Sequence, residues 1–352
     1  MATRRITVSE VLGLEPGRVL FDVRTPAEYE KGHIPGALNL PLFSNEERAV
    51  VGTTYKQVDP YKAFLQGLEF VGPKMRHFVE EARKKAPSGK VAVHCWRGGQ
   101  RSSSMGWLLG LAGMDVEVMI GGYKAYRNHL LEQFASCTPP LIIVGGPTGS
   151  GKTGIIHALA KLGEQVIDLE GIAHHKGSAF GALGEEPQPS VEQFENNLYE
   201  SFRRLDHNRR IWLENESRPI GRVYIPDPLW KQMVKAPLLS VEMPLELRVK
   251  HLVEMYAGYP LDELRDSFER IRRRLGGQHC NAAIDALEAG DYAQAAKIAL
   301  GYYDKAYNHH TLSKRISSNI FTIPVENEDA EKTARRLIMF AEENDLWLPI
   351  TN

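Results

Sequence analysis

Short apolar runs alternate with polar segments of helical period through the first 135 residues. "RVLFDV" (18–23) reads as a strand, "PAEYEKG" (26–32) as a short helix, and "PGALNLP" (35–41) as a turn leading into a strand. Residues 73–85 read as a helix, "VAVHC" (91–95) as a buried strand, 102–112 as a helix, "VEVMI" (116–120) as a strand and 123–135 as a helix. Strand and helix in alternation predict a parallel sheet covered by helices. "SCTPP" (136–140) breaks the periodicity and reads as a linker, which places one domain at 1–137 and a second at 138–352. The second opens on the apolar run "LIIVG" (141–145), and "QVIDL" (165–169), "RIWLE" (210–214), "LLSVEMP" (238–244) and "NIFTIP" (319–324) are its further strands. The stretch from about 245 to 312 reads as mostly helical. The expected fold class is α/β in both halves, with a helical region in the second.

Composition changes this picture little. A chain of 352 residues suits two domains, and 43% hydrophobic with 25% charged residues is the balance of a soluble globular protein. Lys and Arg number 43 against 44 Asp and Glu, so the chain is no general polyanion binder, and any nucleic acid must be held by local basic patches. Three scattered cysteines, Cys95, Cys137 and Cys280, exclude a disulfide framework and point to a reducing, cytoplasmic setting. The N-terminus lacks the apolar core of a signal peptide, and no run reaches about 18 apolar residues, so no membrane association is expected.

The chemistry concentrates in two loops. In "VAVHCWRGGQRSSSM" (91–105), Cys95 ends a strand and Ser102 begins a helix. A loop so placed turns its backbone N–H groups inward and adds the helix dipole, which together stabilise a nucleophilic thiolate. Arg97 and Arg101 add positive field, and Gly98 and Gly99 let the backbone curl round an anion. Trp96, Gln100 and Ser102 complete the candidate anion loop, with Cys95, Arg97 and Arg101 the candidate catalytic residues. An inert buried cysteine is the alternative.

This half resembles a rhodanese domain. The resemblance rests on "FDVRTPAEYEKGHIPGALNLP", with Asp22, Arg24, Glu28, His33, Ile34, Pro35, Gly36 and Ala37 at matching places, and on the position of the Cys95 loop. Cys95 to Arg101 forms C-x5-R, one residue longer than the usual rhodanese loop and similar to the rhodanese-fold dual-specificity phosphatases. The wider loop makes room for a tetrahedral phosphate-like group over the sulfur.

"GGPTGSGKT" (145–153) fits G-x4-G-K-[ST] between an apolar strand and the helical run "GIIHALAKL" (154–162). Gly146, Gly149, Ser150 and Gly151 are expected to cradle a diphosphate. Lys152 would neutralise it and Thr153 is a candidate Mg2+ ligand. The domain therefore reads as P-loop NTPase-like. No clean strand-end Asp accompanies the loop. Asp168 and Glu170 in "QVIDLEG" and Glu214 and Glu216 in "RRIWLENESR" are the acids on offer. A loop that binds diphosphate without hydrolysing a nucleotide is one option and a nucleotide site the other. "DLEGIAHHKGSAFG" (168–181) gathers Asp168, Glu170, His174 and Ser178 into a candidate substrate loop. Metal ligation is not expected there, because the paired histidines lack a matching second cluster. Arg218 joins Glu214 and Glu216 just after a strand end, where α/β folds bind ligands. Arg272, Arg273 and Arg274 in "ERIRRRLGGQ" (269–278) are candidate tRNA contacts or a solvated helix face. Tyrosines in "GYYDKAYNHH" and "LVEMYAGYP" are candidates for base stacking or for packing.

The order "FDVR", "NEERAVVGTTYKQ", "CWRGGQRS", "GGYKAYR", "GGPTGSGKT", "DLEGIAHHKGSAFG", "LENESRPIG", "RRRLGGQ" runs nearly the whole chain and resembles the tRNA 2-selenouridine synthases. That resemblance implies a transferase acting on the anticodon arm of tRNA, converting wobble 2-thiouridine to 2-selenouridine. It implies an S-geranyl intermediate made from geranyl diphosphate, selenium supplied by selenophosphate, and no tightly bound cofactor, with Mg2+ as an accessory. The competing readings are a rhodanese-type sulfurtransferase or a C-x5-R phosphatase fused to a nucleotide-binding module, and a non-enzymatic RNA-binding module.

Overall fold

In a computed structural model of the protein, which describes residues 3–310, 315, 319–326 and 329–346, the apolar run at 91–93 lies at the centre of a five-stranded parallel sheet. Its strands are β1 (Arg4–Ile6), β2 (Val19–Asp22), β3 (Leu38–Asn39), β4 (Lys90–His94) and β5 (Asp115–Met119), in the spatial order β1-β5-β4-β2-β3. Phe21 lies opposite Val93, and Val93 opposite Val118. With neighbours on both edges, β4 buries Val91, Ala92 and Val93 completely, which is why its sequence does not alternate.

The helices around this sheet are α1 (Val8–Leu12), α2 (Pro26–Lys31), α3 (Asn45–Gln57), α4 (Pro60–Val71), α5 (Met75–Lys85), α6 (Gln100–Leu111) and α7 (Gly122–Ser136). Thr7 with Glu10, Thr25 with Glu28 and Ser44 with Glu47 form capping boxes that fix the starts of α1, α2 and α3. Phe78 and Ala82 of α5 and Met105, Leu108 and Leu109 of α6 pack on Phe21, Val91 and Val93 as one core.

The chain divides into two compact units, Met1–Gln133 and Phe134–Asn352. The second is built on β6 (Leu141–Gly145), β7 (Gln165–Ile167), β8 (Ile211–Glu214), β11 (Leu238–Glu242) and β12 (Ile320–Pro324), all parallel, in the order β12-β11-β6-β8-β7. A short antiparallel ribbon pairs β9 (Pro219–Ile220) with β10 (Val223–Tyr224). The chain winds to one side of β6 through β7 and β8 and to the other through β11 and β12. A crevice therefore opens at the carboxyl ends of the strands beside β6, where such folds take ligands.

Helices α8 (Lys152–Lys161), α9 (Leu169–Ala173), α10 (Val191–Arg203), α11 (Asp227–Lys235) and α16 (Ala330–Glu343) accompany this sheet. The expected helical stretch resolves into α12 (Leu245–Tyr256), α13 (Leu261–Leu275), α14 (Gly277–Glu288) and α15 (Tyr292–His310); its last two residues, 311 and 312, lie outside the described residues. Phe268 and Ile271 of α13, Cys280 and Leu287 of α14 and Ala295 and Ala299 of α15 bury a core of their own with Phe180. The strand expected over 165–169 stops at Ile167, because Asp168 turns to accept the Gly171 N–H and caps α9. Among the described residues no helix is long and apolar enough to cross a membrane.

Candidate active sites

Cys95 follows β4 directly and is 3% exposed, with Sγ 3.3 Å from the Ser102 hydroxyl at the first turn of α6. The loop between them is held from behind. Tyr123 N–H donates to the Cys95 carbonyl at 2.8 Å and Lys124 N–H to the Trp96 carbonyl at 2.9 Å, so the start of α7 takes up the loop's acceptors. Among the described residues, no backbone N–H from Trp96 to Ser102 has a hydrogen-bond partner. A loop with carbonyls bound behind and donors free in front is an anion cradle.

Gly98 has φ +67°, and a Cβ there would lie 2.7 Å from the Met119 carbonyl oxygen. A Cβ on Gly122 would strike the Cys95 carbonyl. Only glycine fits these two positions, which lets α7 and the loop approach closely.

The two expected cations differ. Arg101 is committed to Glu28, through bonds of 2.7 and 3.2 Å, and so ties α6 to α2. Although burial opposes it, this pairing holds the Glu28 carboxyl below its ordinary value. Arg97 is exposed and forms no ion pair among the described residues, leaving its charge for an incoming anion. Below the loop, Arg24 donates to both Asp22 oxygens, at 3.0 Å from Nε and 2.6 Å from NH2 to Oδ2, and its guanidinium lies 3.8 Å from the centre of the Tyr123 ring. Burial holds the neighbouring His94 below its ordinary value, hence neutral. Asp22 and Arg24 thus fix the floor from which Cys95 rises.

In the second unit Gly146 to Thr153 wraps the start of α8. Gly146, Gly149 and Gly151 have φ of +142°, +82° and +70°. Lys152 Nζ donates to the Gly146 carbonyl at 3.2 Å, and Thr153 Oγ1 donates to Glu170 Oε2 at 2.6 Å. Three residues that sequence reasoning did not single out brace the loop. Arg248 donates to the Thr148 carbonyl at 3.2 Å and is itself held by Asp304 at 2.7 and 2.8 Å. The Tyr307 hydroxyl accepts the Gly146 N–H at 2.9 Å. Tyr307 lies in the tyrosine-rich segment proposed for stacking; Arg248 and Asp304 carried no local signal, because their pairing joins α12 to α15.

A cavity of about 1280 Å3 opens from this loop. Its lining takes in Gly146, Thr148, Gly149, Gly151, Lys152 and Thr153 with Glu170, Lys176, Glu216 and Arg218, and the apolar Phe180, Leu264, Phe268, Leu287, Tyr292 and Ala299. Ser150, expected among the diphosphate-binding residues, is fully buried instead. Ser178, Tyr256 and Arg274 also reach it. Arg315, which burial pulls down to about 10, donates to Asn215 Oδ1 at 3.0 Å and to the Ala236 carbonyl at 2.9 Å at its edge.

The structure therefore gathers Glu170, Ser178, Glu216 and Arg218 in the lining of the cavity that includes the P-loop and leaves other candidates outside. Asp168 pairs with His157 at 2.8 Å while capping α9, and His174 ends that helix with φ +51°. Glu214 lies fully buried beneath, accepting the Leu169 N–H. Arg272 pairs with Glu269 and Asn281, and Arg273 is exposed.

Burial pushes Glu216 up to about 8, with repulsion from the Glu170 carboxylate adding and Lys152 opposing. Burial, joined by Asp168, also holds Glu214 well above its ordinary value. The folded state therefore keeps protons that the unfolded chain releases near pH 4.5. Stability should fall as pH rises from there towards about 8. Glu216→Gln should match the wild type near pH 5 and melt roughly 2–4 °C higher above pH 8. Thermal unfolding followed by circular dichroism across that range checks the sign, and a variant with the wild-type pH slope would contradict it.

The fold and its two loops define a rhodanese-like unit followed by a P-loop unit. Residues 11–129 match the rhodanese-like domain, and residues 139–327 match the family described as the tRNA 2-selenouridine synthase AAA domain. The chain is 35% identical over 328 residues to the tRNA 2-selenouridine synthase of Sulfurovum sp. (strain NBC37-1), covering 82% of this chain and 88% of the relative. It is 36% identical over 250 residues to that of Nitrosomonas europaea, covering 67% of this chain and 63% of the relative. A solved N-terminal domain of a protein described as ATP/GTP binding, from Clostridium difficile 630, is 39% identical over 36% of this chain and 98% of its own, with a TM-score of 0.34. The chain belongs to the tRNA 2-selenouridine synthase family.

Proposed function

We propose that this chain converts 2-thiouridine at the wobble position of tRNA to 2-selenouridine in two steps, with geranyl diphosphate consumed at the P-loop and selenophosphate at the Cys95 loop. The observation that carries the reading is the make-up of one cavity in the second unit, which is lined both by the phosphate-binding loop and by apolar and aromatic side chains. A diphosphate ester of a hydrocarbon fits both parts of this lining. At about 1280 Å3 the cavity exceeds the roughly 300–1,000 Å3 of ordinary ligand pockets, leaving room for a flipped-out base beside the donor.

In the first step the 2-thio sulfur attacks C1 of the geranyl group. The C1–O bond breaks, diphosphate departs with the electron pair, and the base gives up its N3 proton. Lys152 and the N–H groups of Gly149, Gly151, Lys152 and Thr153 meet the charge that grows on the leaving diphosphate, so they act mainly in the transition state. The Thr153 hydroxyl and Glu170 carboxylate are the oxygen donors that would hold Mg2+ there, and the ion would neutralise further leaving-group charge.

In the second step hydrogen selenide released from selenophosphate attacks C2 of the base, the C2–S bond breaks, geranylthiolate departs as a far better leaving group than a bare sulfur, and the selenol proton moves to N3. The free N–H groups of the Cys95 loop and Arg97 fit the tetrahedral selenophosphate anion. The Cys95 thiolate attacks its phosphorus, the P–Se bond breaks to release hydrogen selenide, and water then cleaves the S–P bond to return the thiolate and phosphate. Arg274 at the cavity and exposed Arg273 are positioned for tRNA phosphate.

Nucleoside mass spectrometry of 2-thiouridine-containing tRNA tests the reading. Geranyl diphosphate alone should give the S-geranyl nucleoside, and selenophosphate added afterwards should give selenouridine. An unchanged nucleoside under both conditions would discard it.

A further inference from the structure

Helix α15 meets the diphosphate loop at one end and lines the cavity along its length. The Tyr307 hydroxyl holds the Gly146 N–H at 2.9 Å, and Asp304 holds Arg248, which in turn holds the Thr148 carbonyl. These two tethers fix the register of the helix against the loop. From Tyr307 the cavity-lining face runs back through Tyr303, Ala299, Ala296 and Ala295 to Tyr292. At a rise of about 1.5 Å per residue, Ala299 lies roughly 12 Å from Tyr307 along the axis, Ala295 roughly 18 Å and Tyr292 roughly 22 Å.

Apolar side chains from other elements line the same cavity. Phe268 and Leu264 come from α13 and Leu287 from α14, and Phe180 meets Phe268 edge-on at 5.0 Å. Between Tyr302 and Tyr292 the helix lines the cavity with small side chains, at Ala295, Ala296 and Ala299. The volume returns at Tyr292 and Leu287.

Resting on the reading above, we infer that α15 sets the length of hydrocarbon tail the enzyme accepts, with Ala299 admitting the second isoprene unit and Tyr292, with Leu287, refusing a third. An extended isoprene unit is about as long as one turn of helix, roughly 5 Å. The diphosphate occupies the turn nearest Tyr307. The first unit then passes Tyr303, the second passes Ala299 towards Ala295, and a third meets the Tyr292 ring. A side chain larger than alanine at 299 overlaps the second unit and leaves the first untouched.

The experiment is competition among dimethylallyl, geranyl and farnesyl diphosphates on 2-thiouridine-containing tRNA, with the prenylated nucleosides resolved by mass. The wild type should prefer geranyl. Ala299→Phe should shift the ratio of dimethylallyl to geranyl product by about 10–200-fold, the range of pocket discrimination at this scale. Tyr292→Ala should move the other way, raising farnesyl over geranyl by a factor on the order of ten. It enlarges the cavity, so it remains informative if Ala299→Phe folds poorly. Two opposite shifts support the inference, because a general loss of packing would lower all three products together. Unchanged ratios in both variants, or a proportional fall in all three donors, would overturn it. Absence of any prenyl product from the wild type would instead sink the underlying reading, and this inference with it.

Discussion

Cys95→Ala should leave prenyl transfer to tRNA intact and lower selenouridine formation by on the order of 10³-fold or more, the scale seen when a nucleophile is removed from a working site. The separation follows from the architecture. Cys95 sits in the first unit, in a loop whose donors are free and whose carbonyls are held by α7. The P-loop and the cavity it lines belong wholly to the second. The variant should therefore accumulate the S-geranyl nucleoside, which the wild type should carry on to selenouridine. Following both nucleosides over time by mass spectrometry checks this. If Cys95→Ala forms selenouridine at the wild-type rate, Cys95 does not take the phosphoryl group from selenophosphate. The Ser102 hydroxyl beside it makes Cys95→Ser a poorer test, because a second oxygen there keeps a polar group at the loop floor.

Lys152→Ala should act on the other step. Removing one preorganised cation from a developing leaving-group charge costs about 10²–10³-fold in rate. Selenation of tRNA that already carries S-geranyl-2-thiouridine should be spared. The two variants then form a reciprocal pair, each blocked where the other is competent, and mixing them with tRNA, geranyl diphosphate and selenophosphate should restore selenouridine. A Lys152→Ala protein that geranylates normally would remove the P-loop from the chemistry.

The sequence carried much of this because two of its signals are local. The strand–loop–helix around Cys95 and the run at 145–153 each place their chemistry within ten or so residues, and the structure sets both at the carboxyl ends of parallel strands. What escaped was either weakly patterned or distributed. Helices α3 and α4 were not foreseen from apolar spacing, since α3 buries no residue fully; its capping box at Ser44 and Glu47 was the available sign. Strand β1, "RRI", is too polar to read as a strand and is defined by its pairing with β5. The carboxylates of "DLEG" and "LENE" looked equivalent on paper. Folding sends Glu170 and Glu216 to the cavity, uses Asp168 as a helix cap and sinks Glu214 beneath the site. The apolar wall could not be read at all, because Phe180, Phe268, Leu287 and Ala299 lie on four separate stretches of chain.

Gly98 and Gly122 bear on how mutational tolerance is interpreted in this enzyme. Neither has room for a methyl group, and each faces the backbone of the other's segment. A selection scored on product alone would rank them with Cys95, although they carry no reactive atom. At this loop, intolerance of substitution identifies the scaffold as readily as the nucleophile, and the two are told apart only by asking whether the failed variant still folds.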